Sequence, residues 1–104
     1  MELRHLRYFV AVGEEQHYGR ASRRLRVAQP ALSRQIQDLE EEVGFKLFER
    51  LPRGVKLNPA GKLFLEDARR ILQEVSDAAA RRRPPQAERM RDRLRPAAYR
   101  PRRP

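Results

Sequence analysis

The chain has 104 residues, room for one small domain with a tail, and its 24 Lys and Arg against 14 Asp and Glu give a net charge of +10. With no cysteine it has neither a disulfide framework nor thiolate metal sites, and His5 and His17 are its only imidazoles, so no metal and no cofactor is expected. No apolar run reaches the length of a membrane span and the opening residues MELRHLRYFV lack the core of a signal peptide, so the expectation is a cytoplasmic protein with no membrane partner.

The charge is unevenly placed. Residues 1–80 hold 14 Lys and Arg against 12 Asp and Glu, whereas residues 81–104 hold ten arginines against Glu88 and Asp92. A basic footprint in the folded part must therefore come from where its cations sit, not from their sum.

In chain order, Leu3, Leu6, Phe9, Val10 and Gly13 fall on one stripe at helical spacing, with Arg4, Arg7 and Glu14 off it, which predicts an amphipathic helix over residues 3–15. After the break EEQHYG comes a short helix over about residues 18–26, with Tyr18, Ala21, Ser22 and Leu25 on one face. The small Ala21 and Ser22 let another helix approach closely. VAQ interrupts the period, and Pro30 then stands where a first helical turn tolerates it, because the backbone donors there have no intrahelical acceptor. Leu32, Ile36, Leu39 and Val43 follow as an unbroken helical stripe that Gly44 ends, as a left-handed terminator.

Residues 45–57, FKLFERLPRGVKL, carry a Pro-Arg-Gly turn and an alternating VKL, which predicts a short two-stranded hairpin. Asn58 and Pro59 are a cap followed by proline at the first helical position. They open what is expected to be the longest helix, to about residue 80, with Phe64, Ala68, Ile71 and Val75 on one stripe and Leu65, Leu72 and Ala79 beside it. From residue 81 the composition turns to arginine, proline and alanine, and a disordered basic tail is expected, with at most a transient helical turn over 89–95.

With Leu32, Ile36, Leu39 and Val43 turned inward, Gln29, Pro30, Ser33, Arg34 and Gln37 fall on the outer face of the third helix, at its N-terminal end. Gln bonds bidentately to adenine, Arg to guanine and Ser to a base edge or phosphate, while Pro30 and Ala31 can touch a thymine methyl. Asp38, Glu40, Glu41 and Glu42 are repelled by phosphate and belong to the part that leaves a groove, so the polarity of charge is the polarity of insertion. A short helix, a tight turn and this second helix make a helix-turn-helix. An ordinary two-helix unit with a solvated outer face gives the same pattern. The basic hairpin tilts the choice, since Arg50, Arg53 and Lys56 around a Pro-Gly turn make a wing able to reach phosphates or a minor groove. Lys56 alone reads as well as a solvated turn cation.

LRHLRYFVAVGEEQHYGRASRRLRVAQPALSRQIQDLEEEVGFKLFER, followed by GVKLNPAGKLFLEDARRIL, resembles the N-terminal DNA-binding domain of LysR-type transcriptional regulators. The resemblance implies a mainly α winged helix-turn-helix over residues 1–58 with a short β-hairpin wing and a long linker and dimerisation helix over 59–80; the tail over 81–104 resembles nothing in the family. It implies double-stranded DNA as partner and a homodimer. Carried over by motif, the recognition-helix positions are Gln29, Pro30, Ala31, Ser33, Arg34 and Gln37, and the wing positions are Arg50 and Arg53; on the long helix Phe64, Leu65, Ala68, Ile71, Leu72 and Val75 make an apolar band too broad for a domain this small to bury alone, which marks them as the expected dimer surface.

There are two departures. The family usually has serine where this chain has Ala28, so a helix cap worth about 0.5–2 kcal/mol and a phosphate contact are lost. The effector domain of the family is expected to be absent, and with it any small-molecule effector site. In its place the tail reads as a basic arm, an artefact, or, as the abrupt change near Arg83 favours, the out-of-frame continuation of a GC-rich gene.

No enzyme is expected. Ser22, Ser33 and Ser76 lack histidine and acid partners, no glycine-rich phosphate loop exists, and Glu40 to Glu42 read as a helix surface. His17 reads as a capping or solvent-facing histidine, and Tyr18 as core. The alternative to operator binding is a protein-interaction module that pairs with full-length regulators and sequesters them.

Overall fold

The computed structural model of the chain describes residues 1–81, so the expected disordered basic tail, with its transient helical turn over 89–95, lies outside the described residues, beyond residue 81. Its elements are α1 (Leu3–Glu15), α2 (Tyr18–Leu25), α3 (Gln29–Val43), β1 (Phe48–Leu51), β2 (Gly54–Leu57) and α4 (Pro59–Arg81). They divide into two units, Met1–Leu72 and one that begins at Gln73. The mainly α fold with a β-hairpin wing and a long last helix is the one expected.

In the first unit, α1 buries Leu6, Phe9, Ala11, Val12 and Gly13. The stripe read from the sequence included Leu3 and Val10, but Leu3 is exposed and Val10 only half-buried. Both α2 and α3 pack on α1, so its buried arc turns toward Val12. α1 ends at Gln16 in the left-handed region (φ 55°), whose N–H donates to Val12 O at 2.8 Å. His17 then caps α2, its Nδ1 accepting from Arg20 N–H at 3.0 Å, as one of the two readings of that residue had it.

α3 buries Leu32, Ile36 and Leu39 and stops at Gly44 (φ 91°) as expected. Ala28 supplies no side-chain cap at its start, the loss anticipated from the missing serine. Asn58 does cap α4: its Oδ1 accepts from Gly61 N–H at 2.7 Å, and Pro59 is the first helical residue.

One expectation is overturned. Glu40 is not on the helix surface with Glu41 and Glu42 but buried, where its Oε2 accepts from Leu47 N–H at 2.7 Å and Lys46 Nζ stands 3.8 Å from Oε1. The chain after Gly44 turns back so that Leu47 enters the core, and its N–H, cut off from water, needs an acceptor. Asn58 holds the same loop from the other side, Nδ2 donating to Lys46 O at 2.8 Å and its N–H to Leu47 O at 3.0 Å. A Cβ at Gly61 would overlap Leu47 O, so the start of α4 backs directly onto this loop.

The hairpin is antiparallel, pairing Phe48 with Leu57, Glu49 with Lys56, Arg50 with Val55 and Leu51 with Gly54. Opposed residues share a face, so Val55 and Arg50 look toward the helices while Glu49 and Lys56 pair outside at 3.3 Å. The wing is fastened to the end of α1, Val55 N–H donating to Gln16 O at 3.1 Å. A Cβ at Gly54 would come within 2.5 Å of the same oxygen, so this crossing requires glycine. Phe9 joins the layers, its ring centroid 5.4 Å from Phe48 and 5.2 Å from Phe64.

Candidate nucleic-acid interface

α2 turns toward the core its small residues Gly19, Ala21 and Ser22, and the Ser22 hydroxyl donates to Gly19 O at 2.8 Å, so close approach leaves no polar group unpaired there. Across the turn at residues 26–28, α3 packs one face on α1 and α2 and leaves the other open. Gln29, Pro30, Ala31, Arg34 and Gln37 are exposed and Ser33 is half-buried. Arg34 Nε lies 3.6 Å from Asp38 Oδ1, an exposed i,i+4 pair worth about 0.3–0.5 kcal/mol, weak enough for a base edge to displace. At the far end Glu41 and Glu42 are exposed, with the Met1 ammonium on Glu42 at 2.5 Å. The surface therefore runs from uncharged donors and acceptors plus one guanidinium to carboxylates, as expected, with Glu40 removed from it.

Much of the folded part's basic charge is already committed elsewhere. Arg24 and Arg69 both hold Glu14, at 2.8 and 2.7 Å, and Arg20 donates to Glu15 O at 2.8 Å. Burial pushes the Glu14 carboxyl up, but hydrogen bonds from Arg69 and Arg24 outweigh it and hold the group below the ordinary 4.5. Lys56 is matched by Glu49. Arg50 and Arg53, by contrast, make no ion pair among the described residues. Arg50 lies over the Tyr18 ring, 5.9 Å from its centroid. Burial, and after it the charge of Glu40, raises the Tyr18 hydroxyl above its ordinary 10.0, and Arg50 opposes the shift.

The wing and the first turn of α3 share a cleft walled by His17, Gly19, Gln29, Arg50 and Arg53. A neighbouring hollow is lined by Tyr18, Gln37, Glu40, Lys46, Phe48, Arg50 and Val55. Gln29 and Gln37 are thus brought beside the wing arginines, whereas Pro30, Ala31, Ser33 and Arg34 belong to the open face of α3. Sequence reasoning missed the seat that Tyr18 gives Arg50 and the place of His17 in the cleft. Neither has a local signal, since the residues involved meet only when the hairpin folds back.

The apolar band of α4 divides. Leu65 and Ala68 are buried in the protein's own core, Phe64 and Leu72 pack against it half-exposed, and Ile71 and Val75 are exposed, as is Leu63 at 67%. The band was expected to be wider than this domain could cover; Leu65 and Ala68 are covered, and Ile71 and Val75 are left exposed. No helix among the described residues is long and apolar enough to cross a membrane, and none of their His, Asp and Glu side chains gather in a group able to hold a metal ion.

Residues 3–62 match the family model of the bacterial regulatory helix-turn-helix protein, LysR family. The chain is 60% identical over 81 residues to the uncharacterized HTH-type transcriptional regulator YnfL of Escherichia coli (strain K12), an alignment covering 78% of this chain and 27% of that protein. With the HTH-type transcriptional regulator BudR of Klebsiella aerogenes it shares 61% over 79 residues, 76% of this chain and 54% of BudR. The chain thus spans from about a quarter to about half the length of these relatives. Among solved structures, the CbnR_DBD–DNA complex superposes with a TM-score of 0.76 at 48% identity, covering 78% of this chain and 93% of that one.

Proposed function

This chain belongs to the LysR family of bacterial regulatory helix-turn-helix proteins, and from that premise we propose that it is a sequence-specific transcriptional regulator that binds double-stranded operator DNA. The observation that carries the proposal is the exposed face of α3 from Gln29 to Gln37 beside two arginines, Arg50 and Arg53, that no acid neutralises among the described residues. The likeness to the DNA-bound CbnR domain supports it.

In this reading α3 enters the major groove by its N-terminal end. Gln29, Arg34 and Gln37 take base edges, Ser33 a base edge or phosphate, and Pro30 and Ala31 the thymine methyls. Arg50 and Arg53 hold the backbone or the minor groove alongside. Asp38, Glu41 and Glu42 stay outside the phosphate channel, where they cost no affinity. A second copy joins through α4, using Ile71 and Val75 with the half-exposed Phe64 and Leu72, while Leu65 and Ala68 stay with their own core. Pairing sets two recognition helices about 34–36 Å or a multiple of it apart, matched to a palindromic site.

The test is selection from a random duplex pool by the purified chain. Enrichment of one inverted-repeat motif is the expected result, and a pool that stays random through successive rounds while the chain remains folded would overturn the proposal.

A further inference from the structure

Read from the sequence, His17 had only a capping or solvent-facing part, but its capping bond decides what the rest of the ring can do. Nδ1 accepts from Arg20 N–H at 3.0 Å, so it carries no proton, and the neutral ring must carry its proton on Nε2. The ring is also fixed in place. It lies against Gly19 so closely that a Cβ there would stand 2.8 Å from Cε1 and 3.1 Å from Nδ1, so a side chain at 19 would displace the imidazole from this position. Nε2 makes no hydrogen bond among the described residues. The half-buried ring forms one wall of the cleft whose other walls are Gln29 at the start of α3 and Arg50 and Arg53 on the wing.

A held N–H donor that shares a cleft with two unneutralised guanidinium groups suits an anionic oxygen between them. We propose that His17 is a phosphate-binding residue of the DNA interface, donating its Nε2–H to a backbone phosphate of the strand that passes between the recognition helix and the wing. The assignment rests on the DNA-binding reading above and extends it, because it gives one imidazole two tasks: Nδ1 starts α2, and Nε2 fixes the strand beside Gln29. A phosphate contact sets register and orientation without reading sequence, so His17 contributes to affinity for every duplex and not to base preference.

The experiment separates the two tasks. His17→Asn keeps an acceptor able to cap α2 but has no donor at the reach of Nε2; His17→Ala has neither. Both are measured by thermal unfolding and by binding to the selected operator and to an unrelated duplex. The binding is repeated on operators carrying a neutral methylphosphonate at one backbone position at a time. Expected are near-parental unfolding for His17→Asn, a loss of about ten- to a hundredfold in affinity on both duplexes, and unchanged base preference. At one phosphate, the methylphosphonate should weaken the parent but add nothing to the loss in His17→Asn, a non-additivity that marks direct contact.

If the losses add at every phosphate, or His17→Asn binds as the parent does, His17 only caps. A change of base preference in His17→Asn would instead make it an orienter of Gln29 and overturn the phosphate assignment. If the unaltered chain binds neither duplex, the DNA reading itself falls, and this assignment with it.

Discussion

Removing the Glu40 carboxylate should loosen the wing without touching any group proposed to meet DNA. Glu40 is 9% exposed and Leu47, whose N–H it accepts at 2.7 Å, is fully buried. In Glu40→Ala that N–H is stranded. A hydrogen bond to a charged group is worth about 1.5–3 kcal/mol, and a buried donor left unpaired costs about 1–3 kcal/mol, so a loss near 2 kcal/mol is expected. The exposed pair with Lys46, at 3.8 Å, adds little. For a folded unit of 60–100 residues each kcal/mol lowers Tm by about 4–8 °C, so Glu40→Ala should melt about 8–16 °C below the parent. Glu40→Gln, which keeps an acceptor, should lose less than half of that. Glu41→Ala, on an exposed neighbour, should stay within about 2 °C. The assay is thermal unfolding by circular dichroism at neutral pH. If Glu40→Ala and Glu41→Ala melt together, the carboxylate does not hold the Leu47 loop and the account of how the wing is positioned is wrong.

Gln29→Ala and Arg34→Ala should each reduce discrimination at one base position by about 1–3 kcal/mol; selected motifs unchanged for both would remove these side chains from base reading. Arg53→Ala should weaken binding to all sequences alike and reduce the slope of log affinity against log salt by about one, so an unaltered slope counts against the wing contact. Ile71→Asp and Val75→Asp place charge on exposed α4 residues and should give folded monomers with weakened operator binding, read by analytical ultracentrifugation with circular dichroism. Leu72 is a poorer site for that test because it also packs on the core. Glu14, held below its ordinary 4.5 by Arg69 and Arg24 against the opposing effect of burial, contributes stability that is present above the unfolded value and lost as pH falls through the folded one; Glu14→Gln should flatten the acid limb of the Tm–pH curve below about pH 4.5, and an unchanged limb refutes the linkage.

What was legible in the sequence was local or periodic. The α3 stripe, Pro30 near its start, Gly44 at its end and the Asn58–Pro59 helix start all act within one helical turn, and each stands where the pattern put it. The outer face of α3 followed from the same period. What was not legible depends on residues far apart in the chain. Glu40 looks like one of three equivalent glutamates until the loop beyond Gly44 turns Leu47 inward and calls for an acceptor. Arg50 could be counted as basic, but that Val55 opposes it across the hairpin and Tyr18 lies beneath it is fixed by register and docking. The α4 band shows the limit of periodicity: Leu65 and Ile71 carry the same apolar signal, and only packing decides that the first is core and the second exposed.

That the N-terminal face of α3 and the wing meet the same stretch of DNA can be read residue by residue from amide chemical-shift mapping of the labelled chain titrated with its selected duplex. The largest changes should fall on residues 29–37, on Arg50 to Gly54 and at His17 to Gly19, with Glu41 to Phe45 little moved. Changes centred on Phe45 and the acidic end of α3, with residues 29–37 unmoved, would contradict it.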